Sequence, residues 1–194
     1  MFQRLLISVL VSGGWCGAAA ALDLEHTPTQ PRTSQSVCVT AQVGSAEDRA
    51  TLHVQVVEPG SYLRRSDAAF TNAWRELPMK TSPSDEGQGQ GQGMGRFIAN
   101  IPAEWQQHRR LVRYYVTVEG KSGSLIRIPA ETNSCPNVAY FVYDGLPPWT
   151  GSSRPGGTPA LTFSSGFMET MPAFHLMARA EDVERSQWGH SGGK

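Results

Sequence analysis

A two-residue period of apolar side chains, repeated from Val37 to Tyr143, restricts the folds open to this chain. The stretches SVCVTAQV, ATLHVQVV, RFIANIP, RLVRYYVTVEG, SLIRIP and NVAYFVYDG follow it, with turn residues between them. Successive side chains of a strand point to opposite faces of a sheet, so this period indicates short antiparallel strands. The sequence predicts a mainly β fold, an antiparallel sandwich of immunoglobulin or fibronectin-III type over residues 36–145.

The aromatic residues of the last strands fall into two phases. Tyr114 and Tyr140 share the phase of the valines, which predicts core positions. Tyr115, Phe141 and Tyr143 take the other phase and are candidates for an exposed aromatic surface that binds glycans.

Composition excludes one class of partner. The chain has 194 residues, with 17 basic and 17 acidic side chains, so its formal net charge is zero. Proteins that bind nucleic acids concentrate Lys and Arg on one face, so a nucleic-acid partner is not expected. The 20 glycines and 13 prolines fit a β protein with many turns.

The first 20 residues have the layout of a secretory signal peptide. Arg4 precedes an apolar run from Leu5 to Val11, and the alanines before residue 22 favour cleavage after Ala20 or Ala21. We therefore expect a secreted or extracytoplasmic protein of the cell envelope, with residues 21–35 as an N-terminal extension. A lipid anchor on Cys16 is the alternative. No later apolar stretch is long enough for a transmembrane helix.

Two cysteines, Cys38 and Cys135, remain after cleavage. Cysteines of exported proteins usually pair, so a Cys38–Cys135 disulfide is the expectation. Two separate buried thiols are the alternative.

Two segments look like catalytic motifs but lack the spacing or the partner residues that such motifs require. Glycines alternate with other residues between Asp85 and Phe97, which excludes the G-x-G-x-x-G spacing of a phosphate-binding loop. Ser191 lies in a G-x-S-x-G pattern, but no later acid or histidine follows it. The five histidines lack metal-site spacing. No catalytic, cofactor-binding or metal-binding residue is therefore predicted.

The last quarter of the chain differs from the preceding residues in composition and in its pattern of apolar residues. Residues 146–160 are rich in Pro, Gly and Ser, which is typical of a linker. In residues 161–194 a short strand containing His175 is expected, followed by an acidic helix in which Glu181 faces Arg185.

Several motifs of the chain occur together. They are a V-x-V-T-A-x-V strand, LPM before a glycine-rich loop, and F-x-A-x-I-P-A before VRYYVTVEG. A segment P-x-[YF]-H-L-x-A follows, and after it DVE-x-SQW, with the matching residues Pro172, Phe174, His175, Leu176, Ala178, Asp182, Val183, Glu184, Ser186, Gln187 and Trp188. With these markers the chain resembles the N-terminal part of secreted bacterial proteins of the CotH kinase family, the spore-coat CotH-like proteins, and the last two motifs resemble the approach to the kinase-like domain.

This resemblance implies an Ig-like module and, over residues 161–194, the incomplete beginning of a kinase-like domain. ATP and a divalent metal would bind residues beyond Lys194, so no site residue is carried over. The first hypothesis is an exported non-catalytic module with a positioning or adhesion role, whose partner is the rest of that domain. The alternatives are the front fragment of an atypical secreted protein kinase and a free-standing module for surface proteins or glycans. Met171, Phe174, Leu176 and Met177 are expected to stay exposed or to fold back onto the sandwich.

Overall fold

A computed structural model describes residues 23–45, 48–82, 94–152 and 157–188. The strands in these ranges are β1 Asp23–Thr27, β2 Val37–Ser45, β3 Arg49–Val57, β4 Arg75–Pro78, β5 Lys80–Thr81, β6 Met94–Ile101, β7 Leu111–Glu119, β8 Leu125–Ile128, β9 Val138–Phe141, β10 Trp149–Gly151 and β11 Leu161–Phe163. The α-helices are α1 Ala68–Thr71, α2 Ser165–Met168 and α3 Ala180–Trp188, and a 3-10 turn covers Ala103–Trp105.

The strands form antiparallel sheets, as the two-residue period predicts. One sheet has the order β1-β2-β6-β5, and the other has the order β4-β3-β7-β8, with β9 also paired to β7. A separate hairpin consists of β10 and β11. The prediction of a mainly β, antiparallel fold is confirmed.

Both large sheets contribute to one hydrophobic core. Every second residue of the long strands is buried in it, including Val37 and Val39 of β2, Leu52 of β3 and Val116 of β7, each 0% exposed. Tyr114 and Tyr140 belong to the same cluster, in the phase that the sequence predicts.

Several elements lie where the sequence predicts none. Within the predicted N-terminal extension lies β1, which pairs with β2 along its whole length and is the edge strand of its sheet. The predicted linker contains β10. The expected strand around His175 is absent, since residues 172–178 form no strand and the β pairing next to them is the isolated bridge of Arg179 with Ser61. The acidic helix is present as α3.

The predicted disulfide is absent from the structure, where Cys38 and Cys135 are free thiols. The physical reason is the direction of their side chains. Val37 and Val39 point into the core, so Cys38 between them points to the outer face of its sheet. Cys135 lies exposed between β8 and β9 of the other sheet. The first sheet therefore separates the Cys38 side chain from the part of the molecule that carries Cys135.

Within the described ranges, no helix has the length and apolar character needed to cross a membrane.

Candidate functional site

Three apolar residues form a row on the outer face of the larger sheet, at one end of neighbouring strands. Val57 ends β3, Leu111 begins β7 and Phe141 ends β9; the register pairs Val57 with Leu111 and Leu111 with Phe141. Residues directly opposite each other point to the same face, and Val112 and Tyr140 occupy the core face. Val57 is only 6% exposed and Leu111 and Phe141 are half-buried, so another part of the chain covers this row in part.

The cover is the C-terminal segment, which we define as residues 171–188. Its main attachment is to the loop after β3. The amide N–H of Ala180 donates to the carbonyl oxygen of Gly60 at 2.9 Å, and Arg179 Nε donates to the carbonyl oxygen of Tyr62 at 3.3 Å. Arg179 Nη2 also donates to Asp67 Oδ2. One arginine thus binds backbone and carboxylate groups of a loop that lies more than a hundred residues earlier in the chain.

A hydrogen bond within its own turn orients the Asp67 carboxylate for this contact. Its Oδ2 accepts a hydrogen bond from the amide of Arg64 at 2.6 Å. The bond from Arg179, followed by that amide bond, holds the pKa of the Asp67 carboxyl below its usual range. The Asp67 carboxylate therefore takes up its proton at a lower pH than an ordinary aspartate does.

A second ion pair ties the helix α3 to the same loop. Arg64 Nη2 lies 2.7 Å from Asp182 Oδ2 in the first turn of α3. The predicted Glu181–Arg185 pair is replaced, because Glu181 lies 3.4 Å from Arg179 and Arg185 lies 3.9 Å from Asp182. The acids at the start of α3 therefore serve the attachment to the loop as well as the helix itself.

Side chains before this attachment alternate between the sheet and solvent. The His175 ring lies 5.0 Å from the Phe141 ring and 4.7 Å from the Tyr143 ring, measured between centroids. Phe174 and Leu176, on either side of it, are 95% and 80% exposed. Met171 and Met177 are also exposed. The segment both folds back onto the sheet and leaves apolar side chains in solvent, so both expected outcomes occur together.

A groove of about 430 Å³ lies between the row and the C-terminal segment. Its lining includes the whole row of Val57, Leu111 and Phe141, together with residues 145–147 and 174–178. Such a volume is within the range of small-molecule sites, about 300–1,000 Å³.

Among the described residues, one cation of the groove has no carboxylate partner. Glu58 lines the groove but binds Arg110, whose Nη2 and Nε lie 2.7 and 3.0 Å from its two oxygens. Arg109 also lines the groove and belongs to none of the ion pairs of the described residues. Its φ of 71° lies in the left-handed region, which is uncommon for a residue with a side chain.

The neighbouring His108 supplies a hydrogen-bond donor. The amide of Asp144 donates to His108 Nδ1 at 3.1 Å, so the neutral ring carries its proton on Nε2. His108 and Arg109 thus contribute two donor residues to a groove whose lining is mostly apolar.

The predicted aromatic surface is divided between different contacts. Tyr115 is half-buried: it stacks on His53 at 4.4 Å, and Arg127 Cζ lies 3.9 Å from its ring centroid. Phe141 and Tyr143 are half-buried and both contact His175. The ring neighbours of Tyr115 thus differ from those of Phe141 and Tyr143.

The remaining features weighed in the sequence are a metal site, Ser191 and the glycine-rich run. No group of three His, Cys, Asp or Glu side chains in these ranges has metal-binding geometry. Ser191 and the glycine-rich run from 85 to 93 lie outside the described residues.

A second sequence pattern, separate from the two-residue period, indicates the row of Val57, Leu111 and Phe141. At each of the three positions an apolar residue stands beside another: Val56-Val57, Leu111-Val112, and Phe141 between Tyr140 and Val142. Adjacent apolar residues in a strand indicate that both faces of the sheet are covered at that point. The position of Arg109 and the partner of Arg179 have no such local signal.

In comparisons with known proteins, no family model, curated protein or solved structure matches this chain.

Proposed function

We propose that this chain is an exported, non-catalytic, Ig-like β-sandwich module of a CotH-kinase-type protein, and that it positions a neighbouring domain. Two antiparallel sheets around one core support the sandwich. The observation that carries the positioning role is the docked C-terminal segment, since the part that resembles the approach to the kinase-like domain is the part attached to the sheet. In that family ATP and a divalent metal belong to the kinase-like domain.

The docking supports positioning because it fixes direction. Arg179 and Asp182 bind the loop after β3, so α3 leaves the sheet at a defined place. Phe174 and Leu176 project from the same segment into solvent. A domain that packs on these two side chains would take its orientation from the sheet and would remove an unfavourable apolar surface from water.

The first test is the intact mass of the protein isolated from its own host. A product that continues beyond Lys194 supports the proposal, whereas a mature product that ends at Lys194 rejects a C-terminal partner domain. The continued product is then compared with its F174S/L176S variant by calorimetry and small-angle X-ray scattering. The variant should lose coupled melting of the two parts and gain radius of gyration.

The matched control is L125S/I126S. Leu125 and Ile126 are also exposed, at 70% and 43%, but they lie on β8, away from the docked segment. An equal effect of both double variants would reject a specific contact at Phe174 and Leu176.

The alternatives keep their own tests. Phosphorylation of a protein substrate by the purified chain with ATP would favour the protein-kinase hypothesis over that of a non-catalytic module. A free-standing module for envelope proteins or glycans has little support from Tyr115, Phe141 and Tyr143, because they are half-buried. A glycan array without signals above background would reject its glycan-binding form.

A further inference from the structure

We propose that the groove between the C-terminal segment and the sheet binds a small amphipathic carboxylate, with an aliphatic or aromatic body. The body would lie on the row of Val57, Leu111 and Phe141, and the carboxylate would lie at Arg109. This site does not depend on a neighbouring domain.

The shape of the groove supports a ligand with an apolar body. Its floor is the row, and Leu146, Phe174 and Met177 contribute further apolar lining. Binding sites for small molecules are commonly concave, mostly apolar and supplied with few polar groups that fix orientation. An apolar body that fills the groove would also cover part of the Phe174 side chain, which is otherwise exposed to water.

The charged residues of the groove indicate which polar group the ligand carries. Glu58 is neutralised by Arg110, whereas the guanidinium of Arg109 has no carboxylate partner among the described residues. The adjacent His108 has its Nδ1 occupied by the Asp144 amide, so Nε2 carries the proton that remains available. His108 and Arg109 both line the groove. A guanidinium and a ring N–H among the lining groups match a carboxylate better than a neutral hydroxyl, because charge-assisted hydrogen bonds are the stronger ones.

The backbone of Arg109 is consistent with a binding role. Its left-handed φ of 71° is unfavourable for a residue with a Cβ, yet its amide is held in place by the carbonyl oxygen of Val142 at 2.9 Å. Residues held in such conformations often occur in binding sites, where the fold fixes a side chain in advance.

The experiment is an NMR titration of the isotope-labelled chain with octanoate, and with 1-octanol as the neutral ligand of equal length. Saturable shifts are expected at the amides of Leu111, Phe141 and Met177. Octanoate should bind at least about tenfold more tightly than 1-octanol, since one charge-assisted contact is sufficient for a tenfold difference.

Two variants separate the charge from the fold. R109Q keeps a Cβ at the left-handed position and removes only the guanidinium, so its affinity for octanoate should fall to the level of 1-octanol. R49Q removes an arginine from the opposite end of β3 and should leave octanoate affinity unchanged.

Three results would overturn the proposal: shifts that do not saturate or that lie outside the groove, equal affinity for the two ligands, or equal octanoate affinity of R109Q and the original chain. Each can occur whether or not Phe174 and Leu176 contact a second domain. Failure here is therefore distinguishable from failure of the positioning role.

Discussion

At the scale of single residues, His26 links the edge strand β1 to the core. Its Nδ1 lies 2.9 Å from the hydroxyl oxygen of Tyr114, and its ring lies 5.0 Å from that of Tyr140. Burial lowers the pKa of His26 below its ordinary value, and the carbonyl of Thr29 only partly opposes this effect. Burial also raises the pKa of Tyr114, so the hydroxyl remains a donor to the neutral histidine.

The first prediction follows from the sign of that shift. A histidine with a lowered pKa binds fewer protons when folded than when unfolded, so the free energy of unfolding falls as the pH decreases below the unfolded pKa of about 6.5. H26F should weaken this dependence on pH, because the residue no longer titrates. It should also cost about 1–3 kcal/mol at neutral pH, because the buried Tyr114 hydroxyl loses its partner. Urea unfolding between pH 5 and pH 8 gives both quantities.

The burial of His53 also lowers its pKa, so H26F should keep part of the dependence on pH. An unchanged slope in H26F would show that His26 is equally protonated in both states.

Gly151 gives a second prediction at this scale. A Cβ at this position would overlap Cη2 and Cζ2 of Trp149, so G151A must displace the indole from the β10–β11 hairpin. The Trp149 indole N–H signal should shift by NMR, while the unfolding of the core should change little. G166A is the control, since its added Cβ meets nothing within 4 Å in α2. An unmoved indole signal in G151A would contradict the packing described.

At the scale of elements, the sequence predicts strands far better than it predicts their covers. Val37 and Val39 alternate with polar residues, so a local pattern is sufficient to identify β2 and its buried face. Arg179 and Asp67 are 112 positions apart, and nothing near either one specifies the other. The pairing of Cys38 is equally hard to predict from the sequence. Whether it forms a disulfide depends on which part of the fold its side chain faces, and the number of cysteines does not give that.

The third prediction concerns the attachment of the C-terminal segment. R179A should weaken the attachment of α3, because it removes the bonds to Asp67 and to the Tyr62 carbonyl together and leaves the Arg64–Asp182 pair. The amide of Ala180, which donates to Gly60, should then exchange its hydrogen much faster, while amides of β3 and β7 keep their protection. Amide exchange followed by mass spectrometry or NMR measures both regions.

R185A is the control for R179A, since Arg185 is 75% exposed on its side chain and lies 3.9 Å from Asp182. Because the pKa of Asp67 is lowered, the attachment should persist below the usual titration range of aspartate and weaken as the pH falls through that lowered pKa. Equal exchange rates in R179A and R185A would show that Arg179 does not hold the segment.

At the scale of the whole molecule, two sheets are held together by one apolar core and, in this structure, by no covalent link between Cys38 and Cys135. Leu52 lies at 0% exposure in that core. Truncation of a buried leucine removes its burial energy and leaves a cavity. The association of the sheets should therefore respond strongly to the core and weakly to the redox state.

The fourth prediction separates these two sources of stability. L52A should lower the free energy of unfolding by about 2–5 kcal/mol. A reducing agent should leave the free energy of unfolding of the original chain unchanged. C38S/C135S should unfold at nearly the same denaturant concentration as the original chain. A bridge over this long loop would instead contribute roughly 4 kcal/mol, which reduction would remove. Urea unfolding with and without reductant therefore decides between free thiols and a bridge, because a loss of that size on reduction requires the two sheets to be covalently joined.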